Sequence, residues 1–156
     1  MPSLFRRILV PYDFSDHAAR ALRIAVSLAA THGGKLTVLH VLPPFQPVVE
    51  FPPGESWLPP LDLVPKVKKQ LETNVARVLG RGRMAPSASC RVEIGDPAQR
   101  IVEAARQADV VVMATAGRTG LAHLVIGSVA EKVVRHSPAP VLTVRPAPAR
   151  RTRRKA

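Results

Sequence analysis

The stretch Val110–Val134, VVVMATAGRTGLAHLVIGSVAEKVV, holds the residue types from which chains build phosphate cradles. An apolar run, Val110–Met113, leads straight into a small-residue loop, Ala114–Gly120, and Gly127-Ser128 then opens an amphipathic helical pattern. Backbone N–H groups converge in such a loop, and the helix dipole favours an anion. The stretch contains neither G-x-x-x-x-G-K-[ST] nor G-x-G-x-x-G, the two commonest nucleotide patterns, and a glycine loop behind a strand is also ordinary structural punctuation. Asp13, in Tyr12-Asp13-Phe14-Ser15, closes a second apolar run, Arg7–Pro11. A carboxylate and a glycine loop at the ends of two buried strands could share one site.

Catalytic constellations are thin. His17, His32, His40, His123 and His136 show no metal-ligand spacing, Cys90 has no evident partner, and Asp16 and Asp96 read as helix starts. Phosphoryl transfer needs Mg²⁺ ligands and a water-orienting group, and no such set assembles. A binder is expected, at most a slow ATPase.

The elements that must position these residues alternate along the chain. Arg7–Pro11 reads as a central strand. Ser15 caps a helix with Ala18, Ala21, Leu22, Ala25, Leu28 and Ala29 at helical spacing, ending near Gly33-Gly34. Lys35–Val41 is a second strand. Residues 43–65 hold eight of the sixteen prolines together with Phe45, Phe51 and Trp57, so a long loop is expected, as a lid, a partner contact or a disordered insertion. A helix follows from Lys66, with Val67, Leu71, Val75 and Val78 in its stripe and Gly80 at its end. Cys90–Ile94 alternates as an edge strand with one wet face. Asp96-Pro97-Ala98-Gln99 starts a helix with a box-like cap, and Ser128-Val129-Ala130-Glu131 reads as a capping box for a helix over 128–136. Val141–Val144 is the last strand. The alternation predicts an open α/β sheet of five parallel strands, whose ligands sit beyond the carboxyl ends where strand order reverses.

The chain has 156 residues and is 46% hydrophobic, which suits one domain with its own core over 1–146. Five of the twelve net positive charges fall in residues 150–156, RRTRRKA, read as a disordered basic tail over 147–156 or, alternatively, as a contact for nucleic acid through Arg150–Lys155. No run approaches the length of a membrane span. The apolar run Ile8–Val10 behind Arg6 and Arg7 is too short for a secretory signal, and the lone Cys90 excludes an internal disulfide framework, so a cytoplasmic protein is expected.

Three segments in register resemble the universal stress protein family: ILVPYDFSDHAARALRIAVSLAATHGGKLTVLHV, EIGDPAQRIVEAARQADVVVMATAGRTG and GSVAEKVVRHSPAPVLTVR. The resemblance spans nearly everything between Arg7 and Arg145. It implies a Rossmann-like open sheet of order 3-2-1-4-5 with helices on both faces. It also implies a homodimer through Val141, Leu142, Thr143 and Val144, a strand without charge whose open edge would otherwise be a liability, and a regulatory protein partner. Nucleotide-binding members carry G-x-x-G-x₉-G-[ST]. Here Gly117 is followed after nine residues by Gly127-Ser128, but Ala114 replaces the first glycine and Ala116 precedes Gly117.

By this resemblance Asp13, flanked by Pro11 and Tyr12, would bind ribose hydroxyls, Val41 would line the adenine pocket, and Met113 and Val129 would be among the nucleotide-binding residues. Gly117, Gly127 and Ser128 would offer N–H groups and a hydroxyl to phosphates, and Arg118 would balance their charge. The implied ligand is ATP, with or without Mg²⁺. Ala114 opens the alternative. If the position needs φ > 0, alanine costs about 1–2 kcal/mol; if it needs close backbone approach, the methyl crowds a phosphate; otherwise it is silent. The two readings are therefore an ATP-binding stress regulator, or a dimeric interaction module of the same fold that has lost its nucleotide, with the Arg-rich tail as a nucleic-acid contact.

Overall fold

A computed structural model gives the fold and describes residues 5–44, 63–80, 85–116 and 126–146. In order these residues form β1 (Arg7–Pro11), α1 (Asp16–His32), β2 (Lys35–Leu42), α2 (Leu63–Leu79), β3 (Ala88–Ile94), α3 (Pro97–Ala105), β4 (Val110–Ala114), α4 (Ser128–His136) and β5 (Val141–Val144). All five strands pair in parallel, in the order β3-β2-β1-β4-β5, as expected. Residues 45–62 of the proline-rich segment and the basic tail from 147 lie outside the described residues.

Strand alternation splits the core into two. Ile8 and Val10 of β1, Leu36 and Val38 of β2 and Val110 and Val112 of β4 pack on one face, under α1 and α2. Leu9, Leu39, Val111 and Met113 pack on the other, under α3 and α4. Continuous apolar runs were the signal for this, because only a strand covered on both faces buries every residue. Each such aliphatic contributes about 1.5–3 kcal/mol on burial.

The helix ends follow local chemistry. The Ser15 hydroxyl accepts the Ala18 N–H at 3.1 Å, and α1 stops at Gly33, whose φ of 63° puts it in the left-handed region. Asp96 caps α3 by accepting the Gln99 N–H at 2.9 Å, and the Gln99 side-chain amide donates to Glu103 at 3.0 Å. Four boundaries differ from expectation, one of them at β4, which runs to Ala114, one residue past Met113. β2 runs one residue further, to Leu42, and β3 begins at Ala88, two residues before Cys90. The α2 helix starts at Leu63 rather than Lys66, inside the expected loop. Pro65 is compatible with that start, since the first turn of a helix has no use for its missing N–H.

The β1–β4 ladder is short: it registers only Ile8 with Val110 and Leu9 with Val111, whereas β1 stays beside β2 as far as Pro11 opposite Leu39. The two strands are fastened at their amino ends by Asp109. One carboxylate oxygen accepts the Arg6 and Arg7 N–H groups at 2.9 and 2.8 Å, and the other accepts Nε and Nη2 of Arg7 at 3.1 and 2.7 Å. The Arg7 side-chain hydrogen bonds, chiefly, hold the Asp109 carboxyl below its ordinary pKa. A depressed carboxylate stabilises the fold above its unfolded pKa and loses that contribution as pH falls through the folded one. We expect Asp109→Asn to lower Tm by about 2–4 °C at neutral pH. The gap from the parent should close as the pH is brought below about 4 in thermal melts followed by circular dichroism.

Candidate functional site

Beyond the carboxyl ends of β1, β2 and β4 lies a cavity of about 300 Å³, at the lower end of the range for small-molecule sites, roughly 300–1,000 Å³. From β1 and its turn come Pro11, Tyr12 and Asp13; from β2, Leu39, His40 and Val41; from β4 and the residues after it, Met113, Ala114, Thr115 and Ala116. The starts of α3 and α4 close it through Pro97 and Ile101, and through Gly127, Ser128, Val129 and Ala130. All the residues singled out in the sequence that the structure describes therefore surround one cavity. Gly117 and Arg118 lie outside the described residues.

The β1–α1 turn carries the one acidic side chain among the described wall residues. The Asp13 Oδ1 atom accepts the Ser15 N–H at 3.0 Å and the Ser15 hydroxyl at 2.5 Å. It organises the turn as well as facing the cavity, so its local role and its site role coexist. Between them Phe14 has φ of 66°, the only positive φ at a non-glycine residue among those described. Such a conformation costs a bulky residue about 1–3 kcal/mol and persists only where its surroundings impose it. Edge contacts to the Tyr12 ring, 5.5 Å between centroids, and the His40 ring, 4.7 Å, help impose it. Burial first, and then the Asp13 charge, push the Tyr12 phenol above its ordinary pKa.

The start of α4 forms another part of the wall. Gly127 is the cap residue, with no side-chain capping bond, and Ser128 is the first helical residue. This corrects the expected capping box: Ser128 sits one position too far into the helix to cap it. Gly127 does not offer its own N–H to a ligand either, because that group donates to the Thr115 carbonyl at 2.7 Å. Its φ of −58° is open to any residue. What favours glycine here is space, since a Cβ would lie 3.3 Å from the Thr115 oxygen. The first helical bond runs from the Glu131 N–H to Gly127 at 2.9 Å, so Ser128, Val129 and Ala130 precede the helical ladder. Their N–H groups are the donors a helix start leaves for an acceptor from outside.

Ala114 ends β4 opposite Val144, in extended conformation, and packs against the core cluster under α1. The positive-φ requirement that alanine would have violated is therefore absent.

Sequence reasoning missed His40, Thr115, Pro97 and Ile101. His40 had a signal: it follows Leu36 and Val38 in the alternation of β2, at a core-facing position where an imidazole must find a partner. That partner is the Tyr12 carbonyl, 2.7 Å from Nδ1. Pro97 and Ile101 had none, because only the assembled topology brings α3 over the cavity.

The family model for universal stress proteins matches residues 4–145. A universal stress protein of Thermus aquaticus is 36% identical over 148 residues, covering 91% of this chain and 100% of its own. The chain belongs to the universal stress protein family. Among solved structures, a universal stress protein family member from Burkholderia pseudomallei superposes with TM-score 0.63 at 30% identity, covering 91% of this chain and 97% of that one. The universal stress protein from Archaeoglobus fulgidus in complex with dAMP gives TM-score 0.62 at 23% identity, covering 90% and 98%; at that identity it supports the fold alone.

The turn on which Asp13 stands depends on Ser15 as both helix cap and carboxylate partner. Ser15→Ala should cost about 1 kcal/mol, read as a lower urea midpoint with unchanged slope in equilibrium unfolding.

Proposed function

We propose that this universal stress protein is a regulator that binds an adenine nucleotide in the cavity at the carboxyl ends of β1, β2 and β4. The observation that carries the reading is that one largely apolar cavity is lined both by Asp13 and by Ser128, Val129 and Ala130, whose N–H groups precede the helical ladder. A carboxylate suits the two hydroxyls of a ribose, and a helix start suits a phosphate. Between them Val41, Met113, Ile101 and Val129 form an apolar wall suited to the faces of a purine. The Archaeoglobus fulgidus protein shows that a chain of this fold can hold an adenine nucleotide, dAMP, and an adenine ligand is the first to test here.

The fit extends from base to first phosphate within the described residues. In the finer form of the proposal the ligand is ATP, its outer phosphates meeting Gly117 and Arg118. Mg²⁺ accompanying a triphosphate takes oxygen ligands, and Asp13 is the carboxylate among the described wall residues; the ion would otherwise rest on phosphates and water. The extended backbone of Ala114 removes the positive-φ argument for a module that has lost its nucleotide.

Isothermal titration with AMP and with Mg·ATP tests the proposal. Saturable heat is expected, with a melting shift equivalent to about 2.7 kcal/mol at a hundredfold excess over Kd; no heat and no shift at millimolar nucleotide would sink it. Ala114→Gly should change affinity by less than about twofold while lowering stability by about 0.5–1 kcal/mol. A strong gain in binding would instead favour the lost-site reading.

The proposal includes a homodimer through β5. Among the described residues this strand pairs only with β4; it carries no charge and leaves Leu142 42% exposed, an open edge that natural sheets tend to cover. A dimer is expected by sedimentation velocity at micromolar concentration, and a monomer for Leu142→Arg; a parent chain that sediments as a monomer would remove this part of the reading.

A further inference from the structure

We infer that His40 is the positioning residue for Asp13, setting from β2 the direction in which the carboxylate leaves β1; this rests on the nucleotide-binding reading and deepens it. His40 is buried, on the side of β2 that also presents Leu36 and Val38 to the core, and 28 residues separate it from Tyr12. Its Nδ1 lies 2.7 Å from the Tyr12 carbonyl oxygen. A carbonyl only accepts, so the proton of this bond is on Nδ1. The Tyr12 N–H donates to the neighbouring Leu39 carbonyl at 2.8 Å. Two consecutive residues of β2 therefore hold Tyr12 at both of its backbone polar groups.

The consequence is geometric. The Tyr12 carbonyl and the Asp13 nitrogen belong to one planar peptide unit. A ring that fixes the carbonyl fixes that plane, and with it the bond from which the Asp13 side chain departs. The same imidazole lies edge-on to Phe14, with ring centroids 4.7 Å apart and planes at 63°. Phe14 follows Asp13 and holds the left-handed backbone conformation that turns the chain into α1. His40 thus supports Asp13 from both sides in sequence, through the peptide before it and the ring after it. Ser15, which bonds Oδ1 directly, fixes the carboxylate relative to α1; His40 and the Leu39 carbonyl tie the residue before it to the sheet.

A histidine that merely fills the core and one that aims Asp13 differ in what their loss does to ribose recognition. The full-length chain is titrated with AMP and with its 2′,3′-dideoxy analogue, which lacks the hydroxyls Asp13 would accept. The parent should prefer AMP by about tenfold, and Asp13→Asn should abolish the preference. His40→Asn retains an amide nitrogen at the place of Nδ1, and His40→Gln moves it outward to the place of Nε2. The inference predicts that His40→Asn keeps most of the preference for AMP. His40→Gln should reduce it to within about twofold while binding the dideoxy analogue within about twofold of the parent. The double variant with Asp13→Asn should lose nothing further. Equal losses for both ligands in His40→Gln, or a preference retained in both His40 variants, would overturn the inference while leaving nucleotide binding intact. A parent chain that binds neither ligand would overturn the binding reading itself. Circular dichroism melts establish that each variant is folded before titration.

Discussion

The parting of β1 from β4 is the constraint on which the rest of the molecule depends. The two strands lie side by side at the centre of the sheet, tied at their amino ends by Asp109 and by two registered residue pairs. The chain then leaves β1 towards α1 on one face and arrives, beyond β4, at α4 on the other. Neighbouring strands whose exits diverge cannot close over their own ends, and a crevice results. Its walls are whatever the strand ends and helix starts carry: here a carboxylate on the β1 turn, apolar residues from β2 and β4, and the open amides of α4. The site needs no dedicated element, because the order 3-2-1-4-5 opens it.

Much of this was legible in the sequence because it rests on local chemistry. Uninterrupted apolar runs at Ile8–Val10 and Val110–Met113 marked strands covered on both faces, and Ser15, Gly33 and Asp96 marked helix ends. The errors share a physical origin. Pro65 resembles a helix breaker until its neighbours place it in a first turn, where it is harmless. Ser128 resembles a cap because the spacing to Glu131 fits one, yet the chain enters α4 one residue earlier, where Gly127 leaves room for the Thr115 carbonyl. The partners of His40 and of the Gly127 N–H lie 28 and 12 residues away along the chain. Such pairings depend on how strands are ordered, and residue type alone does not reveal them.

Ala114 posed the sharpest question in the sequence, since it stands where nucleotide-binding relatives are expected to carry glycine. The structure recasts it. The residue is the last rung of β4, its backbone is extended, and its methyl joins the core under α1. Gly127, one of the two glycines of the pattern that are present, works by close approach rather than by unusual φ. Strain is instead concentrated across the crevice at Phe14, where a left-handed aromatic residue is held by the Asp13–Ser15 bonds and by the rings of Tyr12 and His40. The more constrained wall of the cavity is therefore the one that carries the carboxylate.

The central claim is that one ligand spans from Asp13 to the start of α4. It is tested most directly by following backbone amide resonances of the ¹⁵N-labelled chain as AMP is added. The account predicts that Asp13, Val41, Ser128, Val129 and Ala130 shift together along one saturable curve, with the Ser128–Ala130 amides moving in the direction of new hydrogen bonds. Saturable shifts confined to the opposite end of the sheet, around Lys35 and Ser89, or no shifts at millimolar AMP, would contradict it.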